Sequence, residues 1–206
     1  MAAAAPAGDG VAAVGEGVAA VGQGVAASDS VAVRRATAED ADVLATVAAA
    51  TFRLACPPSV TEESMALFVR DVLSRERFEG YLADPARALF VAERPGSEGA
   101  IGYAMVVVGE PADQDVRAAL SHRPTAELSK IYVLPDAHGG GASRLLMAAS
   151  LEAARAAGAH GVWLGVNQLN ARAQRFYAKS GFTRVGTKRF LVGHRYEDDF
   201  VFEQQL

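Results

Sequence analysis

The segment His138-Gly139-Gly140-Gly141-Ala142-Ser143 stands between an apolar run that ends in Leu134-Pro135 and a stretch with Leu145, Leu146 and Ala149 at helical spacing. Glycines at a strand-to-helix junction admit backbone angles closed to other residues, so successive N–H groups can converge on one concavity. The N-terminus of the helix that follows adds partial positive charge at the same place. Such a turn suits an anion like a pyrophosphate, and a plain tight turn is the competing reading. A dinucleotide-binding turn would need GxGxxG after a first strand and an acidic residue about 20 positions later. Here the glycines come late and the downstream strand ends in Asn167. A P-loop is excluded because no Gly-Lys-Ser/Thr is present.

Two further residues could move protons. Tyr177 lies in NARAQRFYAKSG, residues 170–181. A phenol with an ordinary pKa of about 10 keeps its proton at neutral pH and can donate it. A core aromatic is the plainer role, since Phe176 beside it reads as packing. Glu127 opens the strand AELSKIYVLP, where alternation sets its side chain on one face with Ser129, Ile131 and Val133. That place suits a general base, and equally an exposed strand-end carboxylate. His122, His160 and His194 show no metal-ligand spacing with His138, so no metal is expected. Cys56 is the only cysteine, which rules out an intramolecular disulfide, and its apolar neighbours make it a small core residue.

The elements that must carry these residues follow from periodicity. VAVRRA reads as a strand, and Thr37 to Asp40 opens a helix through about Ala50. After Pro57-Pro58, helices are expected over 61–73 and 75–82. A hairpin follows over 87–96 and 100–110. The second half predicts a strand at 126–135, a glycine turn and helix to Gly158, and a strand at 161–168. A helix over 170–181 is closed by Gly181, and strands at 182–193 and 198–206 finish the chain. The mixture implies an α+β domain, a largely antiparallel twisted sheet flanked by helices. One parallel, right-handed crossover spans 127–166.

Composition narrows the function classes. Lys plus Arg number 20 against 24 Asp plus Glu, a net charge of −4, so the basic face of a nucleic-acid binder is not expected. Residues 1–30 repeat VAAVGEG and VAAVGQG with no large side chain to bury, which predicts a disordered low-complexity tail before a domain at 31–206. No basic residue precedes Arg34 and glycines interrupt every apolar run, against a signal peptide. No run is long enough to span a membrane, and the cytoplasm is the expected location.

Three segments in order carry a family resemblance: ELSKIYVLPDAHGGGASRLL, VWLGVNQLN and ARAQRFYAKSGF. Over 31–206 the chain resembles the GNAT N-acetyltransferase superfamily, and within it the bacterial polyamine (spermidine) N-acetyltransferases. The resemblance implies acetyl transfer from acetyl-CoA to an amine by direct attack. It implies that the main chain of Ile131, Tyr132 and Val133 pairs with the pantetheine arm. His138, Gly139, Gly140, Gly141, Ala142 and Ser143 would hold the pyrophosphate, and Asn170 would contact the coenzyme's arm. Tyr177 would protonate the departing thiolate, and Glu127 would be the base if a dedicated one exists. The chain departs from the pattern at Ser143, where a glycine or alanine is usual, and at Asn167, where the subgroup often has tryptophan. Protein lysines, N-termini and antibiotics are rival acceptors, and a non-catalytic acyl-CoA sensor is the rival class. Pairing of two copies through the sheet edge stays open.

Overall fold

The computed structural model describes residues 31–56, 60–97, 99–192 and 195–206. The tail 1–30 and the Pro57-Pro58 break lie outside the described residues. The strands are β1 Ala32–Arg35, β2 Arg87–Glu93, β3 Gly102–Val108, β4 Thr125–Val133, β5 Gly161–Asn167, β6 Thr183–Val192 and β7 Arg195–Gln205. The helices are α1 Ala41–Ala55, α2 Glu62–Val72, α3 Arg75–Ala83, α4 Gln114–Ala119, α5 Ala142–Ala156 and α6 Ala171–Lys179. All seven strands join one sheet in the order β1-β2-β3-β4-β5-β7-β6. Only β4 and β5 run parallel; the other neighbours are antiparallel. This is the mixed α+β architecture expected from the sequence. No helix among the described residues is long and apolar enough to cross a membrane.

Each face of the sheet has its own core. On one face Leu128, Ile131 and Val133 of β4 meet Leu146, Met147 and Leu151 of α5, together with Tyr177 and Phe202. On the other, Tyr103, Met105 and Tyr132 meet Leu44 and Phe52 of α1, Phe68 of α2 and Phe78 of α3. Phe52 and Phe68 stack at 4.3 Å, and Tyr132 stacks on Tyr103 at 5.6 Å. Burial of one such large side chain contributes about 1.5–3 kcal/mol, so these two clusters fix the sheet between its helix layers.

The structure differs from expectation in three respects. Helix α4 occupies a stretch to which the periodicity assigned nothing. Asp113 Oδ1 accepts the N–H of Asp115 at 2.8 Å and of Val116 at 3.3 Å, and Val116 is buried beneath Trp163 and Val201. Six residues are too few for a periodic pattern, so only the cap announces this helix. Strand β7 begins at Arg195 rather than at 198, and α1 runs on to Ala55.

The third difference moves a site residue. Val106 pairs with Leu128 but Met105 pairs with Lys130, so Ser129 is the extra residue of a β-bulge. The bulge resets alternation by one residue. Glu127 therefore shares a face with Tyr132, and not with Ile131 and Val133 as simple alternation predicted.

Candidate active site

Strands β4 and β5 pair at only three positions, Thr125 with Gly161, Ala126 with Val162 and Glu127 with Trp163. Beyond Glu127, among the described residues, no strand pairs with the β5-facing edge of β4. The sheet opens there in its middle, and an unpaired strand edge can accept an extended ligand as if it were another strand. Ile131, Tyr132 and Val133 provide that edge, with their side chains anchored in the two cores.

The glycine turn lies just past the end of the same strand. Gly139 and Gly141 adopt φ values of 80° and 84°, left-handed angles that side chains resist, so both positions call for glycine. Helices α2, α3, α4 and α6 start on side-chain caps from Thr61, Ser74, Asp113 and Asn170. Helix α5 starts on Gly141 with no side-chain cap. Its first N–H groups have no intrahelical acceptors and face outward at the positive end of the dipole. A Cβ on Gly141 would stand 3.5 Å from Arg144 Nη2, and one on Gly140 would stand 4.0 Å from Arg94 Nη2. Two guanidinium groups thus flank the turn, and sequence reasoning missed both. His138 Nε2 donates to the Val133 carbonyl at 3.0 Å and ties the turn to β4. Uncapped N–H groups, left-handed glycines and flanking arginines together fit a pyrophosphate.

Tyr177 lies on α6 and packs into the core on the α5 side of the sheet. It is fully buried among Phe176, Phe182 and Phe202, and its hydroxyl has no hydrogen-bond partner. Burial, and then the Asp199 carboxylate, push its pKa up, so the phenol stays protonated. Tyr132 is likewise raised, first by burial and then by Tyr103 and Tyr177. Asn170 caps α6, its Oδ1 accepting the Ala173 N–H at 3.0 Å. Asn167 is buried and its Oδ1 accepts the Leu169 N–H at 2.9 Å, which shapes the turn into α6.

Glu127 and Ser129 line a cavity of about 640 Å³ on the α1–α3 face, with Asp71, Arg87, Trp163 and Lys188 in its wall. Lys188 is buried with Nζ 5.3 Å from the Trp163 ring centroid. The structure thus sets Tyr177 beside Asp199 and puts Glu127 in the cavity wall, while the glycine turn sits at the other end of the β4 edge. Asp199, Lys188 and Trp163 were not singled out from the sequence. One signal was there: in RYEDDFVFEQQ the residues Glu197, Asp199, Val201 and Glu203 alternate with Phe200 and Phe202. Three of the four are acids on a face that turns out to be buried.

The sequence signature of the Acetyltransferase (GNAT) family matches residues 51–182. The chain belongs to that family. An uncharacterized N-acetyltransferase of Mycobacterium tuberculosis is 50% identical over 167 residues, which cover 81% of this chain and 98% of that protein. The crystal structure of the PaiA N-acetyltransferase from Thermoplasma acidophilum in complex with coenzyme A superposes with a TM-score of 0.67. It has 18% identity and covers 86% of this chain and 99% of its own. A spermidine N-acetyltransferase chimera from Vibrio cholerae and hSSAT superposes at 0.56 with 20% identity, covering 85% of this chain and 95% of its own. Likeness at that level speaks for the fold alone and does not single out the polyamine subgroup. The protein is an acetyltransferase of the GNAT type.

Proposed function

We propose that this enzyme, through a domain at 31–206, moves acetyl from acetyl-CoA to a primary amine by direct attack. The acceptor is a polyamine or another small cationic amine, met in the cytoplasm. The observation that carries the reading is the Tyr177 hydroxyl, buried without a hydrogen-bond partner. A core tyrosine finds a local acceptor when buried, because an unmet hydroxyl costs roughly 1–3 kcal/mol. A hydroxyl held for a ligand has no need of one.

The geometry supports the following roles. The turn from His138 to Ser143, with Gly140 and Ala142 inside it, holds the pyrophosphate with Arg94 and Arg144 at its sides. The main chain of Ile131, Tyr132 and Val133 binds the pantetheine arm and aims an N–H at the thioester oxygen. One such donor is worth about 3 kcal/mol when aimed at a developing oxyanion. Asn170 contacts the arm through the part of its amide not used in capping α6. An ammonium with a pKa near 10.4 must lose a proton, at a cost of roughly 4–5 kcal/mol at pH 7. Glu127 in the cavity wall draws that proton, directly or through water, and Tyr177 gives one to the departing thiolate.

Acetyl-CoA binds the folded state selectively and is expected to raise the melting temperature. Gly141→Glu fills the turn with a side chain at φ 84° and sets a carboxylate against phosphate, so that rise should vanish. Thiol release with propylamine, spermidine, a lysine peptide and an aminoglycoside then separates the acceptor classes. A Gly141→Glu protein stabilised as strongly as wild type would overturn the placement of the coenzyme.

A further inference from the structure

Asp199 is 1% exposed, and neither of its carboxylate oxygens has a hydrogen-bond partner. It stands on β7 opposite Asn167 of β5 on one side and Lys188 of β6 on the other. Its side chain lies over Gly165, where a Cβ would be 3.1 Å from Oδ2 and 3.4 Å from Lys188 Cδ and Cε. The second buried orphan, the Tyr177 hydroxyl, is close enough for the Asp199 charge to weaken its acidity. Two acceptor oxygens and a hydroxyl, all unpartnered and shut away from water, are costly to leave empty. A ligand group that satisfies the carboxylate must bring N–H or O–H donors, and one that fits a buried carboxylate best brings positive charge.

We propose that Asp199 forms the seat of the acceptor nitrogen, its carboxylate accepting hydrogen bonds from a primary ammonium. This rests on the amine-acetyltransferase reading above and adds the residue that recognises the amine. The seat is floored by Gly165 and closed on one side by the Lys188 stem, so it admits a bare –NH3+ and excludes N-alkylated amines. No covalent step occurs at Asp199.

The charge of the seat is set by its surroundings. Burial pushes the Asp199 carboxyl up, Lys188 on β6 pulls it back, and Glu197 and Asp198 on β7 push it up again, to about 7. Tyr177 from α6 and Tyr132 from β4 face it as neutral phenols. Below pH 7 the empty seat is a neutral acid, which Asn imitates closely. Above pH 7 it is an anion that Asn does not replace.

The test measures thiol release from acetyl-CoA by the full chain with propylamine, N-methylpropylamine and spermidine. Asp199→Asn should raise KM for the best amine by tenfold or more and leave KM for acetyl-CoA within twofold. The gap between wild type and Asp199→Asn should be largest at pH 8 and close as pH falls to 6, and Asp199→Glu should recover part of it. N-methylpropylamine should be a poor acceptor for wild type. Gly165→Ala, which keeps the charge and crowds Oδ2, should also raise the amine KM. An amine KM unaffected by Asp199→Asn, or a gap of equal size at pH 6 and 8, would overturn the seat while leaving acetyl transfer standing. Binding of acetyl-CoA without turnover of any of the three amines would remove the amine-transferase reading and the seat together.

Discussion

Of the three buried carboxylates on one face of strand β7, Asp199 and Glu203, four residues apart, live in opposite conditions. Glu203 accepts the Ser121 N–H at 3.0 Å on each oxygen and the His122 N–H at 2.9 Å, with His122 Nδ1 3.3 Å away. It clamps the segment that leads into β4. Asp199 has no hydrogen-bond partner at all. A buried carboxylate is tolerated when donors surround it and costs stability when they do not. Glu203 is therefore a structural residue, and Asp199 is held at a cost that a structural role would not explain. The two stand at different levels of the sheet: Glu203 opposite Trp163, where β4 and β5 still pair, and Asp199 opposite Asn167 at the end of β5, past that pairing.

Breaking the satisfied end should have the larger effect on stability. Glu203→Ala takes the acceptor from the Ser121 and His122 N–H groups, at about 3 kcal/mol, or roughly 6–12 °C in melting temperature. A loss under 2 °C in thermal unfolding would show that water replaces the carboxylate and that the clamp is incidental.

The unsatisfied end should answer with the opposite sign. The folded state keeps a proton on Asp199 up to about pH 7, whereas the unfolded chain releases it near 3.8. Between those values the folded form binds more protons, so wild-type stability falls as pH rises, and the whole cost is present above 7. Asp199→Asn carries none of it. The variant should melt several degrees above wild type at pH 8, with the difference shrinking through pH 7 and gone near pH 4. A variant less stable than wild type at pH 8 would mean that Asp199 has a partner in the folded protein, and the contrast with Glu203 would fail.

Much of the frame was legible because long strands and helices repeat their pattern. The Gly139–Ser143 turn announced itself by residue type, since left-handed angles at a strand-to-helix junction select glycine. Tyr177 stood out by its place in NARAQRFYAKSG. Four things escaped, each for a physical reason. Helix α4 is too short to show a period. The bulge at Ser129 leaves no mark in a run of residues that would all suit a strand, so Glu127 was put on the wrong face. Arg94, just past the end of β2, meets the turn only through the fold, whereas Arg144, three residues after Gly141, reaches it because α5 starts there. Asp199 sat in plain alternation with Phe200 and Phe202, but an acidic strand invites the assumption of a solvated face, and here α4 packs against that face at Val201.

The proposed role of Tyr177 as the acid that protonates the thiolate is tested by removing its hydroxyl. Tyr177→Phe removes one oxygen, keeps the ring against Phe176, Phe182 and Phe202, and leaves no donor behind. General-acid contributions run at about 10²–10⁴-fold, and the fair leaving ability of a thiol sets the expectation at the low end, near 100-fold in kcat. KM for acetyl-CoA should hold within twofold and the melting temperature should stay level or rise, because an unpartnered buried hydroxyl has been taken away. Measured on one preparation, a kcat left at the wild-type value together with a lower melting temperature would make Tyr177 a core residue and contradict the account.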